Sequence, residues 1–325
     1  MNWTELSERA LGAPGISRAE ALAVLESSDE DLPALLHAAM RVRSRYHGRR
    51  VNLHILQNAK SGLCSENCRF CSQSVFATSG VERYPLKPVE EIVEGARQAR
   101  AIGAVKYCVV TSTRAPSERE LQTICEAARR IKQEVRIRLC ASLGLLTGEQ
   151  AIRLARAGVD RYNHNLETSR RYFPMICTSH TFDDRVRTVR AAKDAGMEAC
   201  CGGIVGMGET PQDRVDLAFE LRGLEVEAIP VNFFDPRPGT EFGSLTPLRP
   251  TDALRALAMM RLVNPSRDVR AAGGREAILR QLQPLALYAA NSLFTNGYLT
   301  TPGQGWARDV KMIEDMGFEV ADLEA

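Results

Sequence analysis

The chain has 325 residues, of which 44% are apolar and 25% charged, and its formal net charge is +2. These values suit one large α/β barrel or two ordinary domains, and they exclude a mainly disordered chain. No basic arm or stripe is present, which disfavours nucleic acid as a partner. The N-terminus has no apolar signal core, and no apolar run reaches the length of about 18 residues that a membrane span needs.

The first 48 residues are predicted to form a helical extension in front of the catalytic fold. Ser17 is a typical N-cap for the periodic stretch that follows it, and a second periodic stretch ends at Gly48. We therefore divide the chain into an extension, 1–48, and a main domain, 49–325.

From residue 51 onwards, short apolar runs rich in β-formers alternate with helical stretches. Several runs are apolar almost throughout, as in parallel strands that are covered on both faces. Eight strand–helix units predict a (β/α)8 TIM-type barrel, with a doubly wound open sheet as the alternative. Such barrels carry their chemistry at the C-terminal ends of the strands. The eight predicted strands begin at residues 51, 105, 135, 161, 198, 228, 268 and 291.

Nine cysteines are present, an odd number that, without a signal peptide, favours a reducing cytoplasm and metal ligation over disulfides. Cys64, Cys68 and Cys71 follow the first predicted strand with the spacing Cys-x3-Cys-x2-Cys. Thiolates favour zinc, Cu(I) or iron–sulfur clusters. One alternative is a Cys3His zinc site that uses His47 or His54. The other is a [4Fe–4S] cluster, whose three protein thiolates leave one iron open for a small molecule.

Three further cysteines lie on predicted interior strands: Cys108 on the second, Cys140 on the third and Cys200 on the fifth. Each alone would be an ordinary buried residue, but together they make up most of a second metal site. The seventh strand adds Arg270, which chemistry alone identifies as an anion binder because a guanidinium stays charged. Cys125 lies on a helical stretch and is predicted to be a packing residue.

The cysteine spacing, with an aromatic residue before the third cysteine, is the signature of radical S-adenosylmethionine enzymes, and the chain resembles that superfamily. Over about residues 40–320 it is similar to the biotin synthase family. The segments that carry this resemblance are NAKSGLCSENCRFCSQS, YCVVTSTR, CASLGLLT, DRYNHNLETS, TSHTFDDR, CGGIVGMGET, IPVNFF, VRAAGGRE and ANSLFTNGYLTT.

The resemblance implies a [4Fe–4S] cluster that binds S-adenosylmethionine, which one electron cleaves to methionine and a 5′-deoxyadenosyl radical. It also implies an auxiliary [2Fe–2S] cluster whose sulfide is inserted into dethiobiotin to give biotin. An electron donor such as flavodoxin or ferredoxin and a homodimer are implied as well. The implied ligands are Cys64, Cys68 and Cys71 for the first cluster, and Cys108, Cys140, Cys200 and Arg270 for the second.

By the same resemblance, Asn163 and Asn232 bind dethiobiotin, while Asn165 and Glu167 bind the nucleoside and Arg185 the carboxylate of S-adenosylmethionine. Asn163 and Asn165 are two residues apart at a strand end, so both can face the interior. The ordinary alternatives are turn chemistry for the two asparagines, a solvated first-turn position for Arg185 and a satisfied core position for Asn232.

Two cysteines are not needed by this scheme. Cys200 and Cys201 are adjacent on a strand, so they cannot both face the interior of the barrel. Cys177 follows the fourth strand on a loop, and we hypothesise that it supports a larger or repairable auxiliary cluster.

Two other functions compete with sulfur insertion. The first is a related radical enzyme that acts on another small molecule, which would be favoured if Cys108, Cys140 or Cys200 were missing. The second is an iron–sulfur or zinc sensor, which would need a nucleic-acid-binding or partner-binding module of which the sequence shows no sign.

Overall fold

The computed structural model describes residues 1–322 and begins with three helices. Asn2 and Ser17 cap the first two of them, because their side chains accept hydrogen bonds from N–H groups of the first turn. Gly48 ends the third helix with a φ of 57°, a backbone conformation that suits glycine. The helices are α1 (Trp3–Leu11), α2 (Arg18–Leu25) and α3 (Leu32–His47).

A parallel β-sheet follows and closes on itself, because its last barrel strand pairs with its first. This closure confirms the (β/α)8 barrel and excludes the open sheet. The strands around the barrel are β1 (Arg50–Lys60), β2 (Lys106–Thr111), β3 (Arg138–Ser142), β4 (Arg161–Asn163), β5 (Glu198–Cys200), β6 (Gly203–Val205), β7 (Ala228–Phe233), β8 (Asp268–Ala271) and β9 (Ser292–Phe294).

The fifth predicted strand is broken in two, which the sequence patterns did not indicate. Both β5 and β6 pair with β7, and together they fill one of the eight barrel positions. At the break, a Cβ on Gly202 would lie 1.9 Å from the carbonyl oxygen of Pro230, so only glycine permits this approach. A short tenth strand, β10 (Glu319–Val320), pairs with β1 and was not predicted either.

Four of the helices between the strands begin with a side-chain cap. Capping boxes at Ser117, Thr147, Thr181 and Thr210 satisfy the free N–H groups of α5, α6, α8 and α9. The helices are α4 (Val89–Ala101), α5 (Glu118–Glu134), α6 (Gly148–Arg156), α7 (Phe173–Ile176), α8 (Phe182–Asp194), α9 (Pro211–Gly223), α10 (Pro250–Val263), α11 (Arg275–Leu279), a 3₁₀-helix (Arg280–Tyr288) and α12 (Trp306–Asp315).

The extension packs on the barrel through α10, which is buried along almost its whole length between β-strands and the N-terminal helices. Arg43 on α3 is fully buried, donates to the carbonyl oxygen of Ala290 at 3.1 Å and stacks on the ring of Phe318. The extension therefore shares one apolar core with the barrel. The division of the chain into two domains at residue 48 stays a prediction.

Within residues 1–322, no helix combines the length and apolar character that crossing a membrane requires.

Asp213, the third residue of α9, links that helix to the chain after β4. Ser169 and Thr210 donate hydrogen bonds to its buried carboxylate at 2.6 Å each, and Arg171 pairs with it. Burial alone would raise the pKa of Asp213, but these donors outweigh burial and lower it from 3.8 to about 2. The carboxylate therefore stabilises the fold above pH 4, and this contribution is lost as the pH falls toward 2.

We expect Asp213→Asn to lower the free energy of unfolding at pH 7 by about 1–3 kcal/mol, because it removes buried charge-assisted hydrogen bonds. Urea unfolding at pH 7 and at pH 3 measures the effect, and the difference from the parent should shrink at the lower pH. The matched control is Asp183→Asn, since Asp183 is exposed and its partner Arg170 is exposed as well. Equal losses in both variants would contradict the prediction.

Candidate active site

The loops and upper ends of the strands enclose a cavity of about 330 Å³. Its position at the C-terminal ends of the barrel strands is the one that sequence reasoning predicted. The residues predicted for the site all line this cavity: Cys64, Cys68, Cys71, Cys108, Cys140, Asn163, Asn165, Glu167, Arg185, Cys200, Asn232 and Arg270.

The loop after β1 carries the first three thiols at the mouth of the cavity. Backbone hydrogen bonds fold it back on itself: Cys64 N donates to Gln73 O at 3.1 Å, and Cys71 N to Cys68 O at 3.0 Å. Burial raises the pKa of Cys71 to about 11, so a metal must displace a proton there. Three thiols on one preformed loop, facing one cavity, fit a cluster with three protein ligands.

A second group of thiols lies deeper in the barrel. Cys108 and Cys140 are direct partners in the register of β2 and β3, and Cys200 pairs with Asn163 across β4 and β5. A hydrogen bond between the first two thiols raises the pKa of Cys108 and lowers that of Cys140. Arg270 Nη1 donates to Cys200 Sγ at 3.5 Å. These soft donors, beside a fixed cation, fit a second iron–sulfur cluster.

Arg270 is held in place by Asp268, which lies two residues earlier on β8. Its Nη2 donates to Asp268 Oδ2 at 3.2 Å, and Arg161 and Lys106 contact the same oxygen at 3.0 and 3.5 Å. Burial alone would lower the pKa of Arg270, but Cys200 and Asp268 raise it. The guanidinium therefore stays charged and faces the thiols. Asp268 was not predicted, although its spacing on the strand was a usable signal.

Residues that the resemblance assigns to the cofactor form one hydrogen-bonded group. Arg185 is buried; its Nη1 donates to the carbonyl oxygen of Asn165 at 2.8 Å and lies 3.4 Å from Glu167 Oε1. Glu167 has a φ of 69°, an unusual value for a residue other than glycine, and backbone bonds with Gly202 and Ile204 hold it there. Burial raises the pKa of Glu167, and Arg185 opposes this. The guanidinium of Arg185 and the carboxylate of Glu167 both face the cavity.

Asn163 and Asn232, the two asparagines predicted to bind dethiobiotin, differ in how many hydrogen-bonding positions of the side-chain amide are already used within the protein. Asn163 Nδ2 donates only to Ser142 Oγ, at 3.3 Å. Asn232 instead bridges two backbone segments, since its Oδ1 accepts from Gly273 N at 2.9 Å and its Nδ2 donates to Gly203 O at 3.2 Å. The expectation of a satisfied polar core residue thus holds in part for Asn232, which keeps one N–H free.

The remaining cysteines are placed apart from the deep thiols. Cys177 lies 3.7 Å from Cys68, measured between the Sγ atoms, and its support of the auxiliary cluster stays a prediction. Cys201 packs in the outer apolar core while Cys200 faces the cavity, as the alternation of strand residues requires. Cys125 is a packing residue of α5.

The positions of His47 and His54 argue against the alternative Cys3His zinc site. His47 lies at the end of α3, where Arg261 and the carbonyl oxygen of Arg267 contact it. His54 is buried in β1 against the ring of Phe294. Neither histidine lines the cavity that holds the three thiols.

Several cavity residues carried no assignable signal in the sequence. Phe294 and Tyr298 pack edge to face at 5.3 Å and wall the cavity, and Arg270 stacks on the first of these rings. Glu66 and His180 come from segments that are 114 residues apart and meet beside Cys68. Only the folded barrel brings such pairs together.

The barrel and the three-thiol loop define a radical S-adenosylmethionine enzyme, and residues 60–221 match the model of the radical SAM superfamily. Residues 230–319 match the model of the Biotin and Thiamin Synthesis associated domain. The chain is 55% identical over 322 residues to the biotin synthase of Salinibacter ruber, covering 99% of this chain and 90% of that protein. Identity to the Bacillus subtilis biotin synthase is 47%, covering 99% and 96%. The chain therefore belongs to the biotin synthase family.

Two solved structures have the same fold over nearly the whole of this chain. Methylornithine synthase superposes with a TM-score of 0.87 at 21% identity, covering 98% of both chains. A maturase of the [FeFe]-hydrogenase superposes with a TM-score of 0.83 at 16% identity, covering 98% of this chain and 75% of that one. At such identities the likeness shows the fold alone.

Proposed function

We propose that this enzyme inserts sulfur between two unactivated carbons of dethiobiotin to give biotin. The observation that carries the proposal is the convergence of Cys108, Cys140, Cys200 and Arg270 inside the barrel, below the three-thiol loop. A second set of iron ligands beside the space for substrate suits a cluster that donates sulfide to that substrate. Membership of the biotin synthase family supports the same activity.

The three-thiol loop would hold a [4Fe–4S] cluster through Cys64, Cys68 and Cys71. When bound, this cluster supplies the electron that cleaves S-adenosylmethionine to methionine and a 5′-deoxyadenosyl radical. Arg185 pairs with the carboxylate of the cofactor, for which a guanidinium offers a matching fork of donors. Glu167 and Asn165 accept and donate hydrogen bonds at the ribose hydroxyls.

The auxiliary cluster is a substrate in this scheme, because its sulfide becomes the sulfur of biotin. Two 5′-deoxyadenosyl radicals each take one hydrogen atom from a carbon of dethiobiotin and become 5′-deoxyadenosine. Each carbon then bonds to that sulfur, and the electron released with each new bond reduces an iron of the donated cluster. Cys108, Cys140, Cys200 and Arg270 would hold the donor at the bottom of the cavity. The free amide groups of Asn163 and Asn232 orient the ureido ring above it.

The chain must also keep water and oxygen away from the radical. Phe294 and Tyr298 form one wall of the cavity, and Phe234 adds a further apolar surface. Such walls keep solvent from the reacting atoms and limit side reactions.

The electron donor is a flavodoxin or ferredoxin in our proposal, and it approaches from the outer side of the cysteine loop. Leu63, Val75 and Phe76 are exposed there, and Val75 N donates to the carbonyl oxygen of Cys64 at 2.8 Å. Apolar side chains this close to the thiols suit a transient redox partner. A homodimeric assembly is part of the proposal and is supported by the resemblance to the family.

The deciding experiment is anaerobic incubation of the cluster-loaded enzyme with S-adenosylmethionine, a reductant and dethiobiotin. Mass spectrometry measures biotin and 5′-deoxyadenosine. Formation of both supports the proposal. Formation of 5′-deoxyadenosine without biotin would favour the competing function, a radical enzyme that acts on another small molecule without inserting sulfur.

We expect Glu167→Gln to raise the KM for S-adenosylmethionine about tenfold, because a neutral amide makes weaker hydrogen bonds than a carboxylate. The KM for dethiobiotin should stay within about twofold, since the residue contacts the nucleoside only. Initial rates at varied concentrations of each substrate measure both values. The matched variant is Asn163→Ala, for which the opposite split is expected. A rise in both constants for either variant would contradict the assignment.

A further inference from the structure

A group of donors that the proposed reaction does not use lies behind Cys68. The Sγ atoms of Cys68 and Cys177 are 3.7 Å apart. Cys177 Sγ lies 3.3 Å from His180 Nδ1, and the same nitrogen contacts the carboxylate of Glu66. Donor atoms of Glu66, Cys177 and His180 all lie within 4.8 Å of one another. The group thus places a thiol and a carboxylate on the same nitrogen of one imidazole, next to a second thiol.

The contact between the two thiols is fixed by the backbone around it. Asn67 Oδ1 accepts hydrogen bonds from the backbone N–H groups of Thr178 and Ser179, both at 3.0 Å, and its Nδ2 donates to Thr178 Oγ1 at 2.7 Å. On the other side of Cys68, Arg69 N donates to the carbonyl oxygen of Ile176 at 2.9 Å. The two chain segments are therefore tied together on both sides of the thiol pair.

The two thiols differ in exposure. Cys68 is partly exposed and lines the cavity, whereas Cys177 is 3% exposed and lies behind it. A small molecule therefore reaches Cys68 first. Cys177 is held by Asn67, Ser179 and His180, each of which has a polar atom within 3.4 Å of its Sγ atom. Arg185 Nε donates to His180 Nε2 at 2.9 Å and completes the support of the imidazole.

We propose that Cys177 is a resolving thiol for Cys68 and that the pair forms a disulfide when the chain carries no cluster at the loop. A small-molecule disulfide is first attacked by the Cys68 thiolate, which forms a mixed disulfide and releases one small thiol. Cys177 then attacks Cys68 Sγ as a thiolate and expels the second small thiol, and the two protons that the protein thiols lose end on the two small thiols. Two protein thiols are oxidised to one disulfide, and one small-molecule disulfide is reduced to two thiols.

The consequence is protection of a cluster ligand. A bound cluster occupies Cys68 and blocks the exchange, so the reaction is confined to the cluster-free chain. The internal disulfide keeps Cys68 from irreversible oxidation and can be opened by reduction before a cluster is loaded. This inference goes beyond the proposed function, and its test requires no biotin to be formed.

The test treats the full-length chain, stripped of clusters under anaerobic conditions, with oxidised glutathione. Intact mass and peptide mapping of blocked samples identify the product. The parent chain should retain no glutathione at Cys68 and should show a Cys68–Cys177 link. Cys177→Ala should retain one glutathione at Cys68 instead. Cys201→Ala, which removes an equally buried thiol elsewhere, should react like the parent.

Two further arms separate this result from general oxidation. His180→Gln should form the same link at least about tenfold more slowly, because the imidazole that holds Cys177 beside Cys68 is lost. The cluster-loaded enzyme should form none. The proposal is overturned if Cys68 pairs mainly with Cys64 or Cys71, if pairing is spread over many cysteines, or if Cys177→Ala gives no glutathione adduct.

Discussion

Biotin formation is expected to fall by at least about 100-fold in Cys200→Ala, while cleavage of S-adenosylmethionine continues. Loss of even an outer-shell partner of a metal costs up to about this factor, and a direct ligand should cost no less. Cys200 faces the cavity and contacts Arg270, but it is not part of the three-thiol loop. The variant should therefore separate radical generation from sulfur insertion. Mass spectrometry of biotin and 5′-deoxyadenosine in the same reaction measures both.

The neighbouring residue provides a matched control. Cys201 is fully buried in the outer core on the opposite face of the same chain segment. Cys201→Ala should keep biotin formation per folded molecule and lose only about 1 kcal/mol of stability, a cost typical of removing one small buried group. Equal loss of biotin in both variants would show that packing near the strand break, and not iron ligation, explains the effect.

Cys64→Ala is expected to abolish both products, because the proposed reaction begins at the three-thiol loop. Formation of 5′-deoxyadenosine should fall at least about 100-fold, since two protein thiolates are too few to retain the cluster at the loop. Cys64 is a cleaner test than Cys68, which has Cys177 as a neighbouring thiol at 3.7 Å. The same mass measurement applies, together with the iron and sulfide content of the variant.

The control for this variant is Cys125→Ala, a change in a helix that packs on the outside of the barrel. It should form both products at the parental rate per folded molecule. Continued formation of 5′-deoxyadenosine by Cys64→Ala would contradict the assignment of the loop.

Much of the site could be predicted because its signals are local or periodic. The three thiols of the loop lie within eight residues of sequence, and their spacing indicated a metal site that the family resemblance identified as a [4Fe–4S] cluster. Cys108 and Cys140 were predicted to face the barrel interior from successive strands, and the register of β2 and β3 makes them direct partners. Repeated strand–helix units predicted the barrel in the same way.

Other features depend on tertiary contacts that no local pattern encodes. The break between β5 and β6 arises where Gly202 meets the backbone of Pro230, a contact between separate strands. The contact of Cys177 with Cys68 was not predicted, because it depends on hydrogen bonds from the backbone of Thr178 and Ser179 to Asn67. The spacing of Asp268 and Arg270 on one strand was visible in the sequence, but the contacts of Asp268 with Arg161 and Lys106 join separate strands.

The depth of Cys108, Cys140 and Cys200 has a consequence for the timing of the proposed reaction. Cys108 and Cys140 are partners on β2 and β3, Cys200 on β5 is level with Asn163, and all three line the cavity below the loop that carries Cys64. Fresh iron and sulfide must pass through the same space that dethiobiotin and S-adenosylmethionine occupy. Rebuilding of the auxiliary cluster and conversion of dethiobiotin therefore cannot take place at the same time. Each enzyme molecule must release both ligands from the cavity before its auxiliary cluster is rebuilt.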